Sequence, residues 1–281
     1  MTPPAALRLT HLNCGTLHPP GAAMICHVLL LEVGARLVMV DAGFGTADVR
    51  DPRRLGPVRH LLGAALRPEE TALAQLRARG LDPAAVSDIV LTHGDLDHAG
   101  GIADFPGARI HLRAEEHLAI QRRHGLRASL RYRPAQWAHR PRIIAHPPGD
   151  WTWRGLEQVV DLSAVAPGML LVPLPGHTAG HAGIALPVED GWVLHVGDAA
   201  RSPAALGRGR DRPDVQLRQS LLAHDPAALR RTQRALSALA GCSRLRIITS
   251  HHRGPREQAP TAPDPAAPHP AHRRHRSGHG G

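Results

Sequence analysis

The 281-residue chain contains no lysine: all 34 of its basic residues are arginine. Together with 28 glycines and 26 prolines, this fits the compositional bias of a GC-rich genome better than an arginine surface built for one partner. Aromatic residues make up only 2%, so the core must be assembled from Leu, Val, Ile and Ala. Their scarcity also leaves nothing for bases to stack on, which argues against a nucleic-acid partner despite a formal net charge of +10. The arginines are scattered, with mild concentrations at 121–133, 201–212 and 272–276, and read as a solvated surface. Cys14, Cys26 and Cys242 are odd in number and form no C-x-x-C pair, which excludes a disulfide framework and leads to the expectation of reduced thiols in a cytoplasmic protein. The longest apolar run, "MICHVLLLEV", is too short to span a bilayer and carries His27 and Glu32. The first residues have no charged and apolar segments of a secretion signal, so no membrane partner is expected.

What is present alternates between strand and helix signals. Residues 24–33 and 36–41 read as a hairpin turning at Val33-Gly34-Ala35. Residues 67–80 read as a helix with acids in its first turn and arginines in its last. "SDIVLTH" and "ARIHLR" are strands, the second leading into the helix "AEEHLAIQRR". Residues 124–157 have no regular pattern and are expected to cap a site. "MLLVPLP", "HAGIALP", "GWVLHVGD" and "RLRIITSHH" are further strands, and 225–241 is a helix with Asp225 as N-cap and Gly241 just past its end. One domain over 1–253 is expected. Beyond it, 254–281 is Pro/Ala/His/Arg-rich with too little apolar surface to offset its ordering entropy, so a disordered tail is expected there.

The strand ends carry the chemistry. "LTHGDLDHAGG" places His93, Asp95, Asp97 and His98 within six positions directly after an apolar run. Four ionisable groups in one tight loop are costly to desolvate unless a cation lies among them. "PLPGHTAGH" ends a strand at His177, "VLHVGD" at Asp198 and "IITSHH" at His251, with His252 beside it as an alternative. If these edges gather on one side of a sheet, seven N/O donors converge. That exceeds the four a single zinc prefers and suits two ions sharing a bridging carboxylate and a bridging water.

In "THGDLDHAGG", "GHTAGH", the "GD" at Asp198, the "SH" at His251 and the "VDAGFG" turn at Asp41, the chain resembles the metallo-β-lactamase fold hydrolases, over about residues 8–253. The resemblance implies an α/β fold, a four-layer αββα sandwich of two mixed β-sheets with a dinuclear site between them. It implies His93, Asp95 and His177 on one metal, Asp97, His98 and His251 on the second, and Asp198 bridging. Two divalent ions are expected, Zn2+ first, with Fe or Mn admitted because Asp95 stands where most relatives have histidine. Formally, Asp95, Asp97, Asp198 and a bridging hydroxide would neutralise the two ions. Segment order is nearest the acyl-homoserine lactonases, although their tyrosine three residues after the bridging aspartate is Arg201 here and the chain's one tyrosine is Tyr132.

The implied activity is that of a metal-dependent hydrolase whose activated hydroxide attacks a small ester, lactone or thioester, with Asp97 orienting the nucleophile and handing its proton to the leaving group. Asp41 and His181 are expected to orient ligand imidazoles. Arg201, or an arginine of 121–142, is a candidate partner for a substrate carboxylate. The alternatives are a phosphodiesterase or nuclease of the same fold, a di-iron redox protein and a non-catalytic metal binder. Against the first stands the lack of any additional nucleic-acid domain, and against the second the lack of a flavin domain.

Overall fold

A computed structural model describes residues 7–20, 23–201, 203–206 and 220–252. The first of two six-stranded sheets runs in chain order: β1 (Arg8–Leu17), β2 (Met24–Val33), β3 (Arg36–Val40), β4 (Val86–Val90), β5 (Arg109–Arg113) and β6 (Arg142–His146). Its first three strands are antiparallel neighbours, and β3 to β6 are parallel. The second sheet holds β7 (Trp151–Trp153), β8 (Leu156–Asp161), β9 (Leu170–Pro173), β10 (Ala182–Val188), β11 (Gly191–His195) and β12 (Leu245–Ile248). It is antiparallel except for the last pair, β11 and β12.

Period-two alternation along each strand decides which layer each side chain enters. Leu29 and Leu31 of β2, with Val38, Val40 and Val90, pack against Leu171, Ile184, Leu186 and Val193 of the other sheet. The intervening residues Val28, Leu30, Met39 and Ile89 face outward onto Leu76 of the helix Ala72–Ala78 and Ile120 of the helix Ala114–Arg122. On the far side, Val172, Ala185 and Leu194 pack under Leu236 and Leu239 of the helix Pro226–Leu239. The layers are therefore α, β, β, α, with two mixed sheets at the centre.

The helix Pro226–Leu239 starts where Asp225 accepts hydrogen bonds from the Ala227 and Ala228 amides at 2.8 and 3.0 Å. The segment expected as one helix over 67–80 is instead a 3-10 turn, Pro68–Glu70, followed by the helix Ala72–Ala78. Thr71 adopts an extended backbone and its hydroxyl caps the Ala74 amide, so the helix begins five residues late. Residues 124–157 are not irregular: they hold the helices Gly125–Arg131 and Pro134–Trp137, strands β6 and β7, and the start of β8. Their apolar periodicity is weak because these elements lie at the sheet margins with much of their surface in solvent, as at Leu126 and Trp151. No helix among the described residues is long and apolar enough to cross a membrane. The expected tail, 254–281, lies outside the described residues.

Leu31 is fully buried between the sheets and Leu61 is 71% exposed. Leu31→Ala should lower the unfolding free energy in urea by about 2–5 kcal/mol. Leu61→Ala, lacking that environment, should change it by less than about 0.5 kcal/mol.

Candidate metal centre

Parallel pairing of β3 with β4, and of β11 with β12, brings the C-terminal ends of these strands to one edge of the sandwich. His93 follows β4. After it, Asp95 holds an extended backbone and starts the single turn Leu96–Ala99, which carries Asp97 and His98. His177 follows β9, Asp198 sits in a 3-10 turn after β11, and His251 follows β12. Gly197, just before Asp198, takes a left-handed φ of 51°, and a Cβ there would lie 2.7 Å from the His181 ring.

The donors fall into two buried groups, His93–His177–Asp198 and Asp97–His98–His251, each with its ligand atoms within 4.8 Å of one another. Asp198 faces both: Oδ1 lies 2.9 Å from His251 Nε2 and 3.3 Å from His98 Nε2, and Oδ2 lies 3.5 Å from His177 Nε2. Asp97 Oδ2 is 3.7 Å from His251 Nε2 and 3.9 Å from His98 Nε2. His252 is exposed and stands outside both groups. The Nε2 atoms of His93 and His98 are buried and make no hydrogen bond of good geometry, although carboxylates stand 3.3–3.4 Å away. Desolvated imidazole nitrogens turned towards carboxylates without hydrogen bonds are what a cation site requires, and this N/O donor set suits zinc, iron or manganese.

The surroundings fix the rings. Asp41 Oδ2 lies 2.8 Å from His98 Nδ1, and Asp41 also accepts from the Thr92 amide at 2.7 Å, so the His98 Nε2 lone pair is directed into the group. Burial would raise the Asp41 carboxyl, but the His98 ring outweighs it and holds the group below its ordinary value. His251 Nδ1 is held by the Ile25 carbonyl at 2.9 Å. His181 does something different from what was expected. It orients no ligand imidazole through a hydrogen bond; its Nε2 accepts from the Asp198 amide at 3.0 Å, and its Nδ1 meets the Leu174 carbonyl at 3.1 Å. Arg201 donates from Nη2 to Asp198 Oδ2 at 3.2 Å, which ties it to the cluster's own carboxylate. An arginine three residues after a buried carboxylate finds that carboxylate before it finds a ligand.

Asp95 lies beside the first group, its Oδ2 3.1 Å from His177 Nε2 and 3.4 Å from His93 Nε2. It is also gripped by Arg131, whose Nη1 donates to Oδ1 at 2.9 Å and Oδ2 at 2.7 Å. Burial opposes ionisation of Asp95, but the Arg131 guanidinium, with the His93 ring beside it, outweighs that and holds the carboxyl well below the usual range. Arg131 is one of the arginines of 121–142 named as candidate partners for a substrate carboxylate, and here it pairs with Asp95; Glu116 is a site residue that the sequence did not reveal. Glu116 is fully buried and accepts from the Gly94 amide at 2.9 Å, the Tyr132 hydroxyl at 3.0 Å, the Thr178 hydroxyl at 2.6 Å and the Gly180 amide at 3.1 Å. It ties the loop of His93 to the loop of His177. Gly180 is glycine because a Cβ there would lie 2.1 Å from the Glu116 nitrogen. The signal in the sequence was an acid at 116, four residues before the buried Ile120 on one helix face.

Residues 21–251 match the family described as the metallo-beta-lactamase superfamily. Over 228 residues the chain is 44% identical to probable metallo-hydrolases of Mycobacterium tuberculosis and Mycobacterium bovis, covering 81% of this chain and 74% of each relative. An N-acyl homoserine lactonase of Azorhizobium caulinodans is 38% identical over 71 residues, 25% of this chain and 27% of that protein. Among solved structures, an N-acyl homoserine lactone hydrolase with N-hexanoyl-L-homoserine at its catalytic metal centre superposes with a TM-score of 0.63. That match has 20% identity and covers 88% of this chain and 94% of the other, a likeness of fold.

Glu116→Gln keeps the shape at 116 but turns an amide N–H2 toward groups that donate. At least one buried donor among Gly94, Thr178 and Gly180 then loses its acceptor, and the unfolding free energy of metal-depleted protein in urea should fall by about 1–3 kcal/mol.

Proposed function

The chain belongs to the metallo-β-lactamase superfamily and is a metallo-hydrolase, and on that premise we propose that its centre is dinuclear and that it hydrolyses a small ester, lactone or thioester. The observation that carries this reading is the pair of buried three-donor groups meeting at Asp198. His93 and His177, with Asp95 beside them, would hold one divalent ion. Asp97, His98 and His251 would hold the other, with Asp198 between the two. Zinc suits the histidines, and Asp95 widens the choice toward iron or manganese. When bound, such ions acidify water and polarise a carbonyl oxygen.

The chain's own groups supply the remainder. To Asp97, whose carboxylate lies beside His251 and His98, this reading assigns the task of taking the proton of the attacking water and returning it to the leaving oxygen or sulfur. Asp41, the Ile25 carbonyl and His181 keep His98, His251 and Asp198 in position, so little reorganisation is left for the reaction itself. The lactonase among the sequence relatives and the lactone hydrolase among the structural ones support a lactone within this substrate class. The scarcity of aromatic residues disfavours a nucleic-acid substrate.

Elemental analysis of the purified protein should find about two transition-metal ions per chain. Screened against lactones, thioesters, esters and phosphodiesters, the loaded protein should turn over one of the first three classes. His98→Ala and Asp198→Ala should each lower metal content and abolish that turnover. Full metal content in both variants, or turnover of phosphodiesters alone, would overturn the reading.

A further inference from the structure

Arg131 reaches the first donor group from the end of the helix Gly125–Arg131. Its Nη1 lies 2.7 Å from Asp95 Oδ2, 2.9 Å from Asp95 Oδ1 and 2.9 Å from His177 Nε2. Three donor atoms thus surround one guanidinium nitrogen, two of them on a carboxylate that flanks the first metal position. The guanidinium is anchored from its other side, where Nη2 donates to the Leu222 carbonyl at 2.6 Å. The side chain is 15% exposed, as enclosed as Asp95 at 16%. An arginine cannot give up its proton near neutral pH, so in its contact with Arg131 the His177 Nε2 serves as the acceptor. That is the same lone pair a metal ion would take, and it serves one partner at a time.

We propose that Arg131 is an internal cation that competes with the metal ion for the His93–His177–Asp95 side of the centre, so that the two metal positions differ in affinity and the Asp97–His98–His251 position fills first. The inference rests on the dinuclear reading above and concerns how that centre is loaded. Among the described residues no comparable cation contacts the second position: His98 and His251 are held on their far sides by Asp41 and the Ile25 carbonyl, which leaves both Nε2 atoms facing the cluster. Arg201, the other arginine at the centre, binds Asp198 Oδ2, the oxygen turned toward His177, and adds its positive charge to the same first half. Filling the first position requires the guanidinium to leave His177 Nε2. It also places a divalent ion beside an Asp95 whose charge Arg131 has already offset. Both effects weaken the first ion relative to the second.

The asymmetry also revises the formal charge of the loaded centre. Counted over ligands and a bridging hydroxide alone, three carboxylates leave it neutral; with Arg131 paired to Asp95, it carries a net positive charge. In this chain the carboxylate at 95 therefore does not make the centre more anionic than one with histidine there, because its counter-ion arrives with it.

The test is metal binding by calorimetry, with Zn2+ and then Co2+ as the probe, on metal-depleted full-length protein and on the variants Arg131→Gln and Arg131→Lys. The Co2+ absorption spectrum reports the coordination of each ion independently of activity. Wild type should bind one ion at least tenfold more tightly than the second. Arg131→Gln should tighten the weaker event by at least tenfold and leave the stronger one unchanged. Arg131→Lys, which keeps the charge without the fork, should fall between them, and serves as the test if the glutamine variant does not fold. Two ions bound with equal affinity by wild type, or a weaker event that neither variant strengthens, would overturn the proposal while leaving a dinuclear centre standing. Absence of metal binding in wild type and variants alike would overturn both.

Discussion

Around His98 three aspartates, Asp41, Asp97 and Asp198, converge where almost no water reaches. Carboxylates do not share a dry cavity unless positive charge is placed among them, because the loss of hydration exceeds what neutral hydrogen bonds return. The protein meets this constraint partly from within. Burial works against ionisation of Asp198, and the His251 ring, the Arg201 guanidinium and the His177 ring beside it outweigh that and hold the carboxyl far below its ordinary range. His98 is driven the other way: burial opposes its protonation, and the Asp41 and Asp97 carboxylates overcome that opposition. The remaining demand for positive charge falls on the space between the histidine nitrogens.

The fold is the means by which so many charged groups can be desolvated together. The sheets meet mainly through leucine, valine and isoleucine, with Ala166, Met169 and Ala182 among them, in a close-packed apolar slab. The polar side chains of the candidate site gather at the edge where the strands end, on loops whose backbone is locked by Glu116, by the Asp41–Thr92 contacts and by a glycine of left-handed φ. A site on such short, pinned loops keeps its ligands in place before any ion arrives, so binding energy is not diverted into ordering the chain.

Most of this edge was legible in the sequence because histidine and aspartate after an apolar run announce a strand end and a candidate ligand in the same few letters. The hairpin at residues 24–41, the strands ahead of His93, His177, Asp198 and His251, and the helix capped by Asp225 all follow from periodicity and caps. The αββα arrangement came from the resemblance those motifs carry. The failures have physical causes. β1, β6 and β7 carry little alternation because they are marginal strands with part of their surface in solvent. Glu116 is one of two adjacent acids on a helix, and only the fold reveals that it faces inward. Arg131 was one arginine among 34, in a segment with no pattern, and no rule of spacing connects position 131 to position 95. Nor does spacing show that Arg201 meets Asp198, three residues before it.

The account depends most on the claim that this buried cluster is completed by metal ions and not by its own protons and arginines. An ion that binds the folded chain and not the unfolded one stabilises it by mass action, with no saturation until the sites fill and a logarithmic rise beyond. Scanning calorimetry of the metal-depleted protein across increasing Zn2+ tests this directly. The melting temperature should rise continuously with metal concentration and fall back when a chelator is added. A melting temperature that is the same in excess Zn2+ and in excess chelator would show that the cluster is electrostatically complete without metal, and would contradict the account.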